Sequence, residues 1–477
     1  MTPEARRFAV VGGGIAGLAA AHRLSELCAG NGVDPSIVLL EASRSFGGLI
    51  RTERAGDLLV EGGADSFLAA KPGGVELCER LGLGGELVRI DAGAGGTRIL
   101  FGGRLYELPP GFLMMAPTRL WPLLSSPLFS PRAKLRMVLE RFVPKAHESG
   151  DESLASFVER RFGREVLERV VEPVLASVFM ADAERLSVSA VLPRFVEMER
   201  AFGSVTRGVR CSLGATPGRP QGAGGFAYLR SGTSRIVERL LERLPPAAPR
   251  AGAPLRSLGR DGQGRWRLRV DGRADVLVDA VVLACPAYAS APAIAELDID
   301  LSREIGRQEY ASCATVSLSY RKEEIRRVLP GFGFFVPRSE GLALLAASFT
   351  SLKFPGRWPA GEVLLRCFVG GALHPTLADL SEPELVRLAH DQLRPILDIH
   401  GEPRFTRVIR FPRSMPQYEV GFPQRARSIT RRLAAHPGLF LAGSSVGAIG
   451  LPDCIRSGEQ AAEAAFGFVA GRDREIA

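Results

Sequence analysis

The sequence predicts an α/β fold, a parallel sheet wound with helices, and three observations carry that expectation. A short apolar strand, "FAVV" (Phe8 to Val11), runs directly into Gly12, Gly14 and Gly17. An Ala/Leu-rich helix follows from Ile15 to Ala29. A second strand, "SIVLLEA" from Ser36, then delivers Glu41, 24 residues after the third glycine. Strand, G-x-G-x-x-G, helix, strand and acid in that order describe a Rossmann-type dinucleotide site.

Each element has a physical reason. The first glycine permits a tight turn, the second lets backbone approach a pyrophosphate, and the third lets helix and strand pack closely. The helix N-terminus offers free N–H groups and a positive dipole end to the phosphates, which makes Gly12, Gly13, Gly14, Ile15, Ala16 and Gly17 candidate pyrophosphate contacts. Glu41, followed by Ala42, can accept hydrogen bonds from a ribose. Two other readings fit the same stretch. Arg6 and Arg7 before an apolar run mimic a secretion leader, and glycines at a helix start can be purely structural.

Further along, "RSFGGLIRT" and "LLVEGGADSF" give two glycine-rich returns beside short strands, more than NAD alone would need. From Pro109 to about Arg200 the pattern turns helical, with apolar residues at three- and four-residue spacing in "PRAKLRMVLERF", "SLASFVERRFG" and "EVLERVVEPVLASVFMA". Cys211 to Gly225 reads as a mobile loop, and "PPAAPRAGAP", Pro245 to Pro254, as a linker. Six strands are expected after it: "WRLRV", "VLVDAVVLACP", "CATVSLSY", "FGFFVP", "LALLAASF" and "VLLRCFVGG". Those between Tyr310 and Gly371 make a candidate substrate platform. The chain closes as it opened, with a strand, glycines and a helix in "GLFLAGSSVGAIGLPDCIRSGEQAAEAAFGFV". A nucleotide site built by both chain ends suits FAD, whose ring lies far from its pyrophosphate and needs its own helix N-terminus. The segment at Pro452 provides one, with proline in the first turn where its missing N–H costs nothing.

Composition excludes several classes. No apolar run reaches the ~18 to 20 residues of a membrane-spanning helix, and "GFLMMAPTRLWPLLSSPL" is broken by Arg119 and prolines. The net charge of +9 comes mostly from scattered arginines, without a basic block interleaved with aromatics, so nucleic acid is not an expected partner. Seven cysteines with no C-x-x-C, and six histidines with no H-x-x-x-H, give neither a disulfide framework nor a metal site. His22 and Cys454 are read as packed side chains, and the cysteines suit a reducing cytoplasm.

"VVGGGIAGL", "LLEASRSFGG", "VEGGADSF", "MPQYEVG" and "LPDCIRSGEQAA" together resemble the flavin-dependent protoporphyrinogen oxidase and coproporphyrinogen III oxidase family, within the group that includes monoamine oxidases and phytoene desaturases. The resemblance runs from Phe8 to about Val469. It implies one non-covalent FAD per chain. The implied contacts are Gly12 to Gly17 for the pyrophosphate, Glu41 and Ala42 for the ribose, and Gly48, Leu49, Gly63, Ala64, Asp65, Ser66, the backbone at Leu255, and Ile449, Gly450 and Leu451. It also implies three units: an FAD-binding domain from residues 1–90, 226–285 and 425–477; a mixed β-sheet substrate domain from 91–108 and 286–424; and an all-helical, membrane-facing insertion over 109–225. Arg98 falls where relatives grip a propionate, and Gly333, Phe335 and Phe368 fall where they sandwich a tetrapyrrole. Arg98 as a solvated strand residue, and the two phenylalanines as core, are the alternatives.

The implied reaction oxidises a porphyrinogen to the porphyrin in haem biosynthesis by three two-electron steps, with O₂ as acceptor and H₂O₂ released, and with the flavin rather than a side chain carrying the chemistry. "MPQY", "LPDCI" and "LFSPRAKLR" resemble coproporphyrinogen enzymes, whereas Arg98 resembles the protoporphyrinogen type, so both substrates stay open. Departures are Ser45, where relatives often have arginine, and Ser348, where they carry a larger aliphatic. An amine oxidase, expected to show a lysine near the flavin and a Tyr/Trp cage, a phytoene-type desaturase, and a non-catalytic flavin-binding scaffold for neighbouring haem-pathway enzymes are the rivals. Apolar residues mixed with arginine and lysine between Pro109 and Lys145 suggest peripheral contact with an anionic membrane, the lining of a substrate mouth or a helical core.

Overall fold

The computed structural model describes residues 6–55, 58–90, 96–113, 115–145, 150–214 and 225–476. Arg7–Val11 (β1) and Ser36–Leu40 (β2) are neighbouring parallel strands of a five-stranded sheet, with Ile15–Gly30 (α1) between them. The run that mimics a leader is thus the middle strand of a buried sheet. Its neighbours are drawn from far along the chain: Ala280–Leu283 beside β1, Leu439–Leu441 beyond it, and Pro249–Arg250 beyond β2. The last of these corrects the linker reading of Pro245–Pro254. Pro249 and Arg250 align with Leu39 and Leu40, and the N–H groups of Leu39 and Glu41 go to the carbonyls of Ala248 and Arg250. Proline is tolerated there because the strand is at the sheet edge.

The sheet is covered by α1 and the final helix, Leu451–Ile476. Leu18, Leu24, Ala462 and Ala465 are fully buried in the shared core. Glycine lets the two backbones meet: a Cβ on Gly458 would collide with the Ala16 carbonyl.

A seven-stranded mixed sheet carries the predicted platform, in the order Phe405–Gln417, Glu309–Arg321, Glu362–Gly370, Leu344–Phe349, Gly333–Phe335, Arg98–Phe101, Arg104–Glu107. One face is sealed by the helix Glu382–Leu397 through a core that includes Leu100, Phe334, Cys367 and Leu393. The other face turns toward the nucleotide sheet and the helices. Because side chains alternate along each strand, the register sorts them: Ile99, Phe335, Ala346, Phe368, Thr315 and Ile409 form one row across this open face.

Helices make up most of the described residues of 120–214, as periodicity predicts, but Phe112–Leu113 and Ala116–Pro117 pair as a two-stranded antiparallel sheet inside the segment read as all-helical from Pro109. One turn, Leu167–Val171, is π-helical and ends two residues before Pro173, which cannot donate into the helical ladder. The helix Val205–Gly214 takes in Cys211–Gly214, which the sequence reading assigned to a loop; the rest of that loop, 215–224, lies outside the described residues. The block is pinned by Arg161, whose Nε donates to Glu140 Oε1 at 2.8 Å with both side chains fully buried. Ser204 and the Val205 N–H complete the Glu140 carboxylate. Among the described residues no helix is long and apolar enough to cross a membrane.

Candidate cofactor and substrate cleft

The glycine turn has the geometry its spacing predicts. Gly12 has φ +107°, and a Cβ there would stand 2.7 Å from the Cys285 nitrogen. A Cβ on Gly17 would collide with the Gly12 carbonyl, so the third glycine serves strand–helix packing. Around the Cβ position of Gly14 there is open space within 4 Å. Two glycines are thus forced by protein neighbours, and the one between faces a gap at the start of α1. A gap at a helix N-terminus is the arrangement that suits an anion.

Glu41 ends β2 beside this turn. Its Oε2 accepts the Gly13 N–H at 2.6 Å and its Oε1 accepts the Ser43 N–H at 2.7 Å. Each oxygen keeps a lone pair for a hydroxyl donor. The Ala253 N–H donates to the Glu41 carbonyl at 2.8 Å, which brings Leu255, the first residue of the strand Leu255–Arg260, to the same side.

From the turn the cleft runs along Gly48 and Leu49. Gly48 has φ +60°, and its Cβ position lies 3.1 Å from the Gly14 Cα. Leu49 is 45% exposed, a large apolar side chain left open at the cleft wall. Its carbonyl lies against Gly63, where a Cβ would collide with it. Beyond it, the N–H groups of Gly63, Ala64, Asp65 and Ser66 have no acceptor among the described residues.

The chain's end joins the same cleft. Gly443 and Gly458 pack on Ala16, and the Cβ position of Gly73 is 3.0 Å from the Pro452 carbonyl. Ile449, Gly450 and Leu451 lead into the final helix, with the Gly450 carbonyl accepting the Cys454 N–H at 2.9 Å. The Cys454 thiol points at the carbonyls of Ala448 and Ile449, and burial pushes it up to about 12, so it packs and is not a thiolate. Tyr418 is fully buried, and its hydroxyl donates to the Ser444 carbonyl at 2.7 Å instead of lining a cage. His22 is buried on α1, where desolvation lowers its pKa.

Phe335 and Phe368 occupy the same row of the open sheet face, with Ala346 between them. Gly333, φ +142°, is one of the next pair along the strands; a Cβ there would collide with the Ala347 carbonyl. The structure does not bring Arg98 to this row. Arg98 aligns with Phe334, one residue out of phase, and its guanidinium pairs with the exposed Glu107 while its buried Nε has no hydrogen-bond partner among the described residues.

Three cations absent from the sequence reading brace the floor of the cleft. Lys353 Nζ lies 2.8 Å from Asp65 Oδ1 and 3.0 Å from Ser66 Oγ. Arg366 reaches Asp65 and the carbonyls of Gly62 and Gly63. Arg357 pairs with the buried Glu61. Lys353 and Arg366 hold Asp65 down to about 2 despite its desolvation.

An anion cradle, a ribose acceptor, an open cleft of unpaired amides and a second helix N-terminus fit a long dinucleotide, and the comparisons identify it. The sequence profile described as "Flavin containing amine oxidoreductase" matches residues 15–465. Coproporphyrinogen III oxidase of Bacillus subtilis (strain 168) is 30% identical over 98% of this chain and 100% of its own. Protoporphyrinogen oxidase 1, chloroplastic, of Spinacia oleracea is 30% identical over 96% of this chain and 84% of its own. A crystal structure from Exiguobacterium sp. 255-15, provisionally named a protoporphyrinogen oxidase, superposes with TM-score 0.82 at 29% identity, covering 96% of this chain and 98% of that one. The protein is a flavin-dependent oxidoreductase. It belongs to the flavin containing amine oxidoreductase family.

Proposed function

We propose that the chain oxidises a porphyrinogen, coproporphyrinogen III or protoporphyrinogen IX, to the porphyrin with oxygen as acceptor. The observation that carries this reading is the Phe335–Ala346–Phe368 row, a flat apolar surface on a sheet whose strands also brace the Gly62–Asp65 end of the cofactor cleft through Arg366 and Thr315. Full-length relatives carrying both enzyme names support it. Six electrons and six protons leave the macrocycle, and three O₂ become three H₂O₂.

FAD bound in the cleft supplies the two-electron acceptor. The residues of this chain bind and orient. The turn Gly12 to Gly17 and the α1 N-terminus hold phosphate, Glu41 takes ribose hydroxyls, and the amides at 63–66 and the final helix N-terminus face the ring end. Phe335 and Phe368 set the macrocycle against that end, so the chain contributes positioning and the flavin the electron acceptance. The proposed division has a nucleotide domain, a sheet domain and a helical insertion, and it follows the membership of the two large sheets.

Arg98 is proposed as a carboxylate partner reached by exchange. It opens its strand and pairs with the exposed Glu107, and exchange would trade that carboxylate for one on the substrate. Turnover of coproporphyrinogen III against protoporphyrinogen IX, as kcat/KM on one preparation, tests the substrate assignment. Failure of both substrates would overturn it.

A second reading concerns location. Leu120, Trp121, Leu124 and Leu135 are exposed beside Arg119, Arg132 and Lys134, around a shallow groove of about 490 Å³. That mixture favours peripheral contact of the helical insertion with anionic lipid. Other apolar residues of the segment, Phe112, Met115, Leu123 and Leu128, are core, and Met114 lies outside the described residues.

A further inference from the structure

We infer that Arg366 is a positioning residue for the flavin: from the substrate sheet it clamps the Gly62–Asp65 backbone so that the amides of Gly63 to Ser66 are aimed at the ring. The inference rests on the flavin-binding reading of the cleft and not on which porphyrinogen is used.

Arg366 is 3% exposed and lies on the open face of its strand, two residues before Phe368, with its guanidinium 4.8 Å from the centre of that ring. Its Nη2 donates to the carbonyls of Gly62 and Gly63, the latter at 2.7 Å, and its Nη1 lies 3.3 Å from Asp65 Oδ2. Thr315, on the neighbouring strand, also donates to the Gly62 carbonyl at 3.3 Å. No peptide bond among the described residues is cis. In a trans peptide the C=O and the following N–H point in opposite directions. Turning the carbonyls of residues 62 and 63 onto Arg366 therefore turns the N–H groups of Gly63 and Ala64 away from it. Those are the amides that find no acceptor among the described residues.

The other end of the segment is fixed the same way. Asp65 is held by Lys353 and Ser66 as well as by Arg366. A leucine or methionine at position 366 would fill the space yet take the donor from the Gly63 carbonyl and leave the Gly62 carbonyl with Thr315 alone. Placing the clamp on the strand that carries Phe368 also ties the macrocycle surface to the flavin-side backbone through one side chain.

The test compares Arg366→Met, Arg366→Lys and Asp65→Asn in the full chain. The readouts are the FAD dissociation constant from flavin fluorescence, the visible circular dichroism of bound flavin and the flavin midpoint potential. Arg366→Met is expected to weaken FAD by about tenfold to a hundredfold, the scale of charge-assisted hydrogen bonds, to change the flavin dichroism and to lower the potential. Arg366→Lys, which keeps the charge but not the fork, is expected to restore the potential more than the affinity. Asp65→Asn is expected to weaken FAD less than Arg366→Met. If Arg366→Met fails to fold, Arg366→Lys and Asp65→Asn carry the same comparison. Variants that lose thermal stability while affinity, dichroism and potential all stay at the parent values would overturn the positioning role and leave the flavin reading intact. A parent protein that takes up no FAD would overturn that reading itself.

Discussion

The carbonyl of Ala16, in the first turn of the first helix, lies where a Cβ on Gly458 of the last helix would stand. The two ends of the chain therefore touch backbone to backbone at the head of the cofactor cleft. Gly458→Ala is expected to destabilise the protein by about 1–3 kcal/mol, the cost of overpacking, and to weaken FAD binding. Thermal melts with and without added FAD check both effects.

Glu41 holds the Gly13 N–H at 2.6 Å and is the only acid at the end of β2. Glu41→Gln is expected to weaken FAD by about tenfold or more, because charged hydrogen bonds to the ribose and to the turn become neutral. Titration of apoprotein with FAD measures it. Unchanged affinity would contradict the ribose role.

The Asp65 carboxyl is held at about 2 against an ordinary value of 3.8. Its folded pKa is depressed, so its contribution is fully present above about pH 4 and is lost as pH falls toward 2. The shift corresponds to about 2 kcal/mol. Denaturant midpoints between pH 5 and pH 2 should fall less steeply for Asp65→Asn than for the parent.

Glu140 and Arg161 are both fully buried. Glu140→Ala takes an acceptor from Arg161, Ser204 and the Val205 N–H while leaving Arg161 with Glu199 and backbone carbonyls, and is expected to cost about 1–3 kcal/mol, read as a lower unfolding midpoint.

Legibility in the sequence followed the range of the interaction. The turn at Gly12 to Gly17, α1 and Glu41 lie within 30 residues of one another and each obeys a local rule, so they were readable. The strand at Pro249–Arg250 was not, because two residues in a proline-rich stretch carry no periodicity and become a strand only against Leu39 and Leu40. Arg98 matched the resemblance by position, yet its phase relative to Phe335 depends on a parallel pairing more than 230 residues away. Arg366 left no signal within "VLLRCFVGG". A lone arginine in an apolar strand becomes informative only once Asp65, 301 residues earlier, is beside it.

Arg98→Ala is expected to raise KM for the porphyrinogen with kcat nearly unchanged, because a carboxylate grip acts equally on the ground and transition states. A loss confined to kcat would contradict that role.

The most direct test of the whole account is anaerobic addition of a porphyrinogen to the purified holoprotein while the flavin absorbance is followed. The account predicts bleaching of the oxidised flavin band with the porphyrin Soret band rising in step, and recovery of the flavin on admitting oxygen. A flavin that stays oxidised in the presence of both coproporphyrinogen III and protoporphyrinogen IX would contradict it.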